Sequence, residues 1–162
     1  MRKSKTLLLI LIVLTASTPG SAQGRSPLLD KIISSIEKHQ PLWYFIPGVC
    51  TCPALVPNQL SHAMGGWHLG GLASKRDVTI YISYVPSVED AAEWMEGLTK
   101  WNVAEGWHRD RYPLGDESYL SSADDGYSYL YFRKGSVVLE VSGEDSDVKL
   151  FAKYAEEQMR AD

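Results

Sequence analysis

Cysteine is nearly absent, with two in 162 residues, too few for a scaffold stapled by disulfides. Positive charge is also scarce: 16 Lys+Arg stand against 20 Asp+Glu, a net −4. That balance argues against a nucleic-acid partner, whose phosphates draw Lys and Arg to the surface. Only one apolar run, Thr6–Leu14, is long enough to suggest a membrane. The chain has no Gly-x-Ser-x-Gly elbow, no His-Glu-x-x-His zinc helix, no Gly-x-x-x-x-Gly-Lys phosphate loop and no Gly-x-Gly-x-x-Gly dinucleotide turn, so familiar enzyme classes lose their usual signatures. Composition itself is ordinary, at 44% hydrophobic and 22% charged residues, as expected of one globular domain.

The N-terminus reads as an address. Arg2, Lys3 and Lys5 precede the nine-residue apolar run, and a small-residue stretch ends at Ser21-Ala22, the three-part layout of a secretory signal. Nine helical residues reach roughly 14 Å, too short for a hydrocarbon layer of about 30 Å. The expectation is a signal peptide over 1–22 and a mature domain over 23–162, secreted or periplasmic, with no stable membrane anchor. Removing three positive charges leaves 13 Lys+Arg against 20 Asp+Glu, an acidic product of net −7.

Helix signals come first in the mature chain. Ser26-Pro27 supplies a capping oxygen and a ring-fixed first residue, followed by Leu28, Leu29, Ile32, Ile33 and Ile36 at helical spacing, which predicts a helix over 27–39. Pro41, Pro47, Pro53 and Pro57 interrupt the next stretch, so 41–59 reads as an apolar loop held to the core. Val78, Ile80, Ile82 and Tyr84 alternate with Thr79, Tyr81 and Ser83, the period of a strand with one buried face. The segment 63–69 is its expected hairpin partner. Ser87-Val-Glu-Asp90 opens a second helix with Val88, Ala91, Ala92, Met95 and Leu98 as its inner stripe. Strands follow at about 104–109, 117–122, 127–133 and 136–142, and Asp145 or Ser146 caps a last helix. Turns this tight allow only antiparallel neighbours. The fold class is therefore α+β, a mainly antiparallel sheet of five or six strands with helices covering one face, in two or three layers. Gly66-Trp67-His68 and Gly106-Trp107-His108 echo one another, each placing Trp and His on opposite sheet faces.

Candidate chemistry is local. Tyr127, Tyr129 and Tyr131 occupy alternate positions of one strand, a row of rings suited to sugars or peptides if the face is open. Trp43, in the loop before Cys50, joins them as a ligand-binding candidate. Cys50 and Cys52, one residue apart in an exported chain, can close a strained local disulfide, act as a redox pair or hold a soft metal. Asp124, Asp125, Glu144, Asp145 and Asp147 gather at two turns and could offer oxygen ligands to Ca²⁺, although Asp-Gly is foremost a turn former and Asp145 a helix cap. No cofactor is expected. A non-catalytic binding or accessory role leads, with a protein, peptide or glycan as partner, ahead of a thiol or soft-metal function and an uncharacterised hydrolase.

Leu114-Gly-Asp-Glu-Ser-Tyr-Leu120, followed by Tyr129 to Val141, resembles the strand-turn-strand core of small exported bacterial domains of unassigned function with a PsbP-like α+β sandwich. That resemblance implies an accessory or binding role. It carries no site residues, and Cys50-Thr51-Cys52 has no counterpart in it.

Overall fold

A computed structural model describes residues 26–47, 59–70, 75–104 and 108–160. Ser26 caps helix α1 (Pro27–His39), its Oγ accepting the Leu29 amide at 3.1 Å. Three strands follow, β1 (Trp43–Pro47), β2 (Ser61–Leu69) and β3 (Asp77–Tyr84). Helix α2 (Val88–Ala104) leads to β4 (His108–Arg111), β5 (Glu117–Ser122), β6 (Tyr127–Lys134) and β7 (Val137–Glu144), and helix α3 (Asp145–Arg160) ends the described chain. At the start of α2, Ser87 Oγ accepts the Asp90 amide at 3.0 Å and donates to Asp90 Oδ2 at 2.6 Å, closing a reciprocal cap.

The strands form one sheet in the order β1-β2-β3-β7-β6-β5-β4, every neighbour antiparallel. The α+β reading therefore holds, with seven strands instead of five or six. The added strand is β1, which the prolines had assigned to a loop. An edge strand tolerates proline because its outer side needs no ladder donor, and Pro47 is the last residue of β1. The strand expected at 104–109 is displaced to His108–Arg111 because α2 continues to Ala104.

Alternation divides the sheet into two faces. Val78, Ile80, Ile82, Leu130, Phe132, Leu139 and Val141 point to the side covered by α1 and α3, where they meet Ile32, Ile36, Val148 and Phe151 in the main core. Trp67 lies fully buried in it, edge-on to Phe151 at 5.6 Å. Helix α2 lies on the opposite side, where Ala91, Trp94 and Met95 pack with Tyr131 and Val138. The domain thus has three layers, one of the two arrangements expected, with helices on both faces of the sheet. Within α2, Trp94 faces inward and Val88 is exposed, so the inner stripe begins at Ala91 and not at Val88.

Two polar pins join the layers. Arg76 donates to both carboxylate oxygens of buried Asp147, at 2.6 and 2.8 Å. Glu156, also buried, accepts the Gly115 amide at 2.9 Å and Arg160 at 2.7 Å.

Candidate functional site

The tyrosine row lies on the α2 side of the sheet. Tyr131 is 3% exposed beneath the helix, edge-on to Trp94 at 6.3 Å. Tyr129 stacks parallel to Tyr131 at 6.1 Å, and Tyr127 meets Tyr129 edge-on at 5.4 Å. Both outer rings are half-buried, so the row begins under α2 and emerges from it. Trp43 sits elsewhere, buried on the other face and edge-on to Phe151 at 4.9 Å; it is a core residue. Cys50 and Cys52 lie outside the described residues.

Strand register shows what neighbours the row. Tyr131 pairs with Glu140 on β7, and Glu140 with Tyr81 on β3, which pairs with Met64 on β2. One step along, Tyr129 pairs with Ser142, Ser142 with Thr79, and Thr79 with Gly66. The second line is made of small side chains. A Cβ built on Gly66 would meet, among the described residues, only the Ile46 carbonyl, at 3.8 Å. Gly66, Thr79 and Ser142 therefore form a line of small side chains, about 10 Å long across three strands spaced ~4.8 Å apart, with Ser142 buried and Gly66 and Thr79 half-buried. Tyr129 closes one end, and Tyr81, itself buried, forms one wall with Glu140.

Glu140 is the unusual member of that wall. Burial pushes its carboxyl up from 4.5 to about 7, because a charge removed from water favours its neutral form. Among the described residues it has neither a hydrogen bond nor an ion pair. In-register neighbours on an antiparallel sheet place their Cβ atoms about 5 Å apart, so Tyr81 and Tyr131 flank it directly. Burial raises the Tyr81 hydroxyl above its usual value; the Gln59 amide opposes this, donating from Nε2 at 3.4 Å, and Glu140 adds to it. Tyr129 is raised by burial first, then by Tyr127 and Glu140. His62 stacks on Tyr81 at 5.4 Å.

Four buried polar atoms lack a partner: Gln59 Oε1, Ser83 Oγ, one step along β3 from Tyr81, His68 Nδ1 on β2, and Trp67 Nε1 in the main core on the other face. Native interiors leave few such groups.

Other candidates are weaker. A pocket of about 530 Å³ lies between the start of α1, Tyr84, Lys134, Val137 and Met159, and one of about 400 Å³ at the 111–118 loop. In the latter, Arg133 is already held by Glu117 at 2.9 Å. Of the acidic turns, Asp147 and Glu144 are engaged by Arg76, and Asp145 by Lys149 at 2.6 Å. Among the described residues no group of three His, Cys, Asp or Glu is placed to share a metal ion.

Sequence reasoning singled out the tyrosine row and missed Glu140. The legible signal was a lone carboxylate in the apolar run Val137-Val-Leu-Glu-Val141; its neighbours appear only through the register. Compared with protein-family models, curated proteins and solved structures, the chain matches none.

Proposed function

We propose that this chain is an exported, non-catalytic binding domain whose recognition surface is the part of the α2-side face that α2 leaves uncovered. The ligand class is a peptide or protein segment, or a glycan. One observation carries the reading: half-buried Tyr127 and Tyr129 emerge from beneath α2 beside a floor of Gly66, Thr79 and Ser142. Rigid, half-buried aromatic rings beside a line of small residues offer large contact area with little side-chain ordering on binding. Export rests on the leader, which would place the acidic domain outside the cytosol.

Amide NMR of the mature domain, titrated with a pool of capped pentapeptides and with chito- and cello-oligosaccharides, tests the surface. Binding is expected to move resonances of residues 64–66, 79–81, 127–129 and 140–142 together. Tyr129→Ala should weaken it by about 2 kcal/mol, the loss typical of a buried aromatic anchor. Shifts confined to the pocket between α1 and Lys134, or a Tyr129→Ala variant that binds unchanged, would refute the assignment.

General acid–base chemistry is the second reading, favoured by a carboxyl titrating near neutrality. It ranks lower because the other carboxylates of β3 and β7, Asp77 and Glu144, stand four residues along their strands from Tyr81 and Glu140.

A further inference from the structure

The sheet face that carries the main core ends in a line unlike those inside it. One line in, Ala63, Ile82, Leu139 and Phe132 pair in register across β2, β3, β7 and β6, all of them buried beneath α1 and α3. The next line on this face is Ser61, Tyr84, Val137 and Lys134, on the same four strands. Ser61 is exposed and the other three are half-buried. At this end of the sheet α1 begins, at Pro27 and Leu28, and α3 finishes, at Met159 and Arg160. Between the helix ends and the outer line lies the cavity of about 530 Å³. Its size falls within the range of small-ligand pockets, ~300–1,000 Å³.

The lining divides into an apolar part and a donor part. Leu28 and Met159, buried, and Val137 form apolar walls. Lys134 brings an ammonium and Tyr84 a hydroxyl, and neither has a hydrogen bond or ion pair to another described residue. None of the described residues lining the cavity is acidic. Two carboxylates on neighbouring segments are answered elsewhere: Asp116 accepts the Gly135 amide at 2.8 Å and faces Arg133 at 3.9 Å, and Glu156 accepts the Gly115 amide and Arg160. The His62 ring, beside the cavity, is stacked on Tyr81. The start of α1 adds to the lysine: Pro27 has no N–H, Ser26 accepts the Leu29 and Asp30 amides, and the Leu28 amide is the first-turn donor left over among the described residues.

Ligand classes separate on that lining. A neutral hydrocarbon would fill the walls and leave the ammonium shut from water without a counter-ion. A sugar would answer the donors and not the walls. A phosphate monoester, close to doubly charged near pH 7, would set its second charge against apolar side chains with one lysine to meet it. A monocarboxylate on an apolar chain matches both parts: its oxygens accept from the Lys134 ammonium and the Tyr84 hydroxyl, and its tail leaves water. We propose that this cavity is a second binding site, independent of the tyrosine row, for an acyl-chain monocarboxylate, with the carboxylate at Lys134 and Tyr84 and the tail between Leu28, Val137 and Met159.

The test uses the mature domain and four probes, butyrate, octanoate, octanol and octyl phosphate, each followed by calorimetry and amide NMR. Octanoate is expected to move the resonances of residues 28, 61, 84, 134, 137 and 159 together. Each methylene added between butyrate and octanoate should tighten binding by up to about fourfold. Octanol and octyl phosphate should each bind about tenfold or more weakly than octanoate, the loss expected when a charge-assisted bond is missing or a second charge is left unanswered. Lys134→Met keeps the stem and removes the ammonium; it should weaken octanoate by about tenfold and leave octanol unchanged, while Lys134→Arg retains octanoate. Ser61→Trp, which adds bulk at the exposed rim, should block octanoate while circular dichroism stays native. Octanoate and octanol binding equally, octanoate affinity unchanged in Lys134→Met, or a preference for octyl phosphate overturns the proposal. So does octanoate moving residues 127–129 in place of the cavity residues, or no binding by any of the four probes. None of these outcomes decides the peptide and glycan reading of the tyrosine row, which its own probes test.

Discussion

An unpaired buried carboxyl should weaken the fold whenever it is charged, which gives Glu140 a measurable signature without any ligand. In the unfolded chain it titrates near its ordinary 4.5, and in the folded domain near 7. Below about pH 4.5 it is protonated in both states and costs nothing. As pH rises, the unfolded chain ionises first and gains free energy that the folded chain cannot match, so stability falls through this window and levels off above about pH 7. The displacement, at 1.36 kcal/mol per pH unit, amounts to about 3 kcal/mol. Glu140→Gln keeps the shape and removes the charge. The variant should equal wild type near pH 4 and exceed it by up to about 3 kcal/mol at pH 8. With urea slopes of about 1–3 kcal/mol per M for small domains, the midpoint at pH 8 should rise by about 1–3 M. Urea melts at pH 4.5, 6 and 8 decide it. A difference that does not grow with pH, or a variant less stable at pH 8, would show that Glu140 has a stabilising partner and that the desolvation argument is wrong.

Two further predictions concern the frame that holds the face in place. Gly115 has a φ of +59°, and a Cβ there would stand 2.3 Å from the Arg133 carbonyl; Gly115→Ala should cost roughly 2–4 kcal/mol in thermal or urea melts, because both the conformation and the space are closed to it. Asp147→Ala removes two short hydrogen bonds from Arg76 at a buried position and should cost about 2–3 kcal/mol, a loss that added salt reduces only slightly and that urea melts at low and high ionic strength would show.

Local signals in the sequence carried most of the elements. Ser26-Pro27 and the Leu28-to-Ile36 stripe fix α1 because capping and amphipathic spacing are both short-range. The alternation over 78–84, with tight turns at Gly126 and Gly135 at positive φ, fixes the meander. What failed depended on contacts distant in sequence. Trp43 stood as a ligand-binding candidate in a proline-rich loop held to the core, but pairing of β1 with β2 sets Trp43 opposite Leu69 and makes it part of the core itself. The face on which α2 lands was equally hidden, since both sheet faces carry aromatic residues and a helical stripe names no partner. Glu140 was passed over for the same reason: a single carboxylate in an apolar strand becomes informative only once Tyr81, Tyr131 and the small-residue line are placed beside it.

The unequal helix cover of the two sheet faces follows from dimensions. Seven strands at ~4.8 Å span roughly 30 Å, while a single helix with its side chains is about 10 Å wide. Two helices cover one face, and α2 alone lies over the other, packing near Tyr131 and Val138. The residues of β3 and β7 differ between the faces: toward α1 and α3 stand Val78, Ile80 and Val141, and on the other side stand Thr79, Tyr81 and Ser142, the last two buried. Solvation accounts for half-buried Thr79. It does not account for Glu140, whose carboxyl burial raises to about 7. Nor does packing account for it, since a glutamine or a hydrophobic residue of similar volume would relieve the desolvation cost. Relief of that desolvation is why Glu140→Gln should gain stability as pH rises through the window in which the carboxyl ionises.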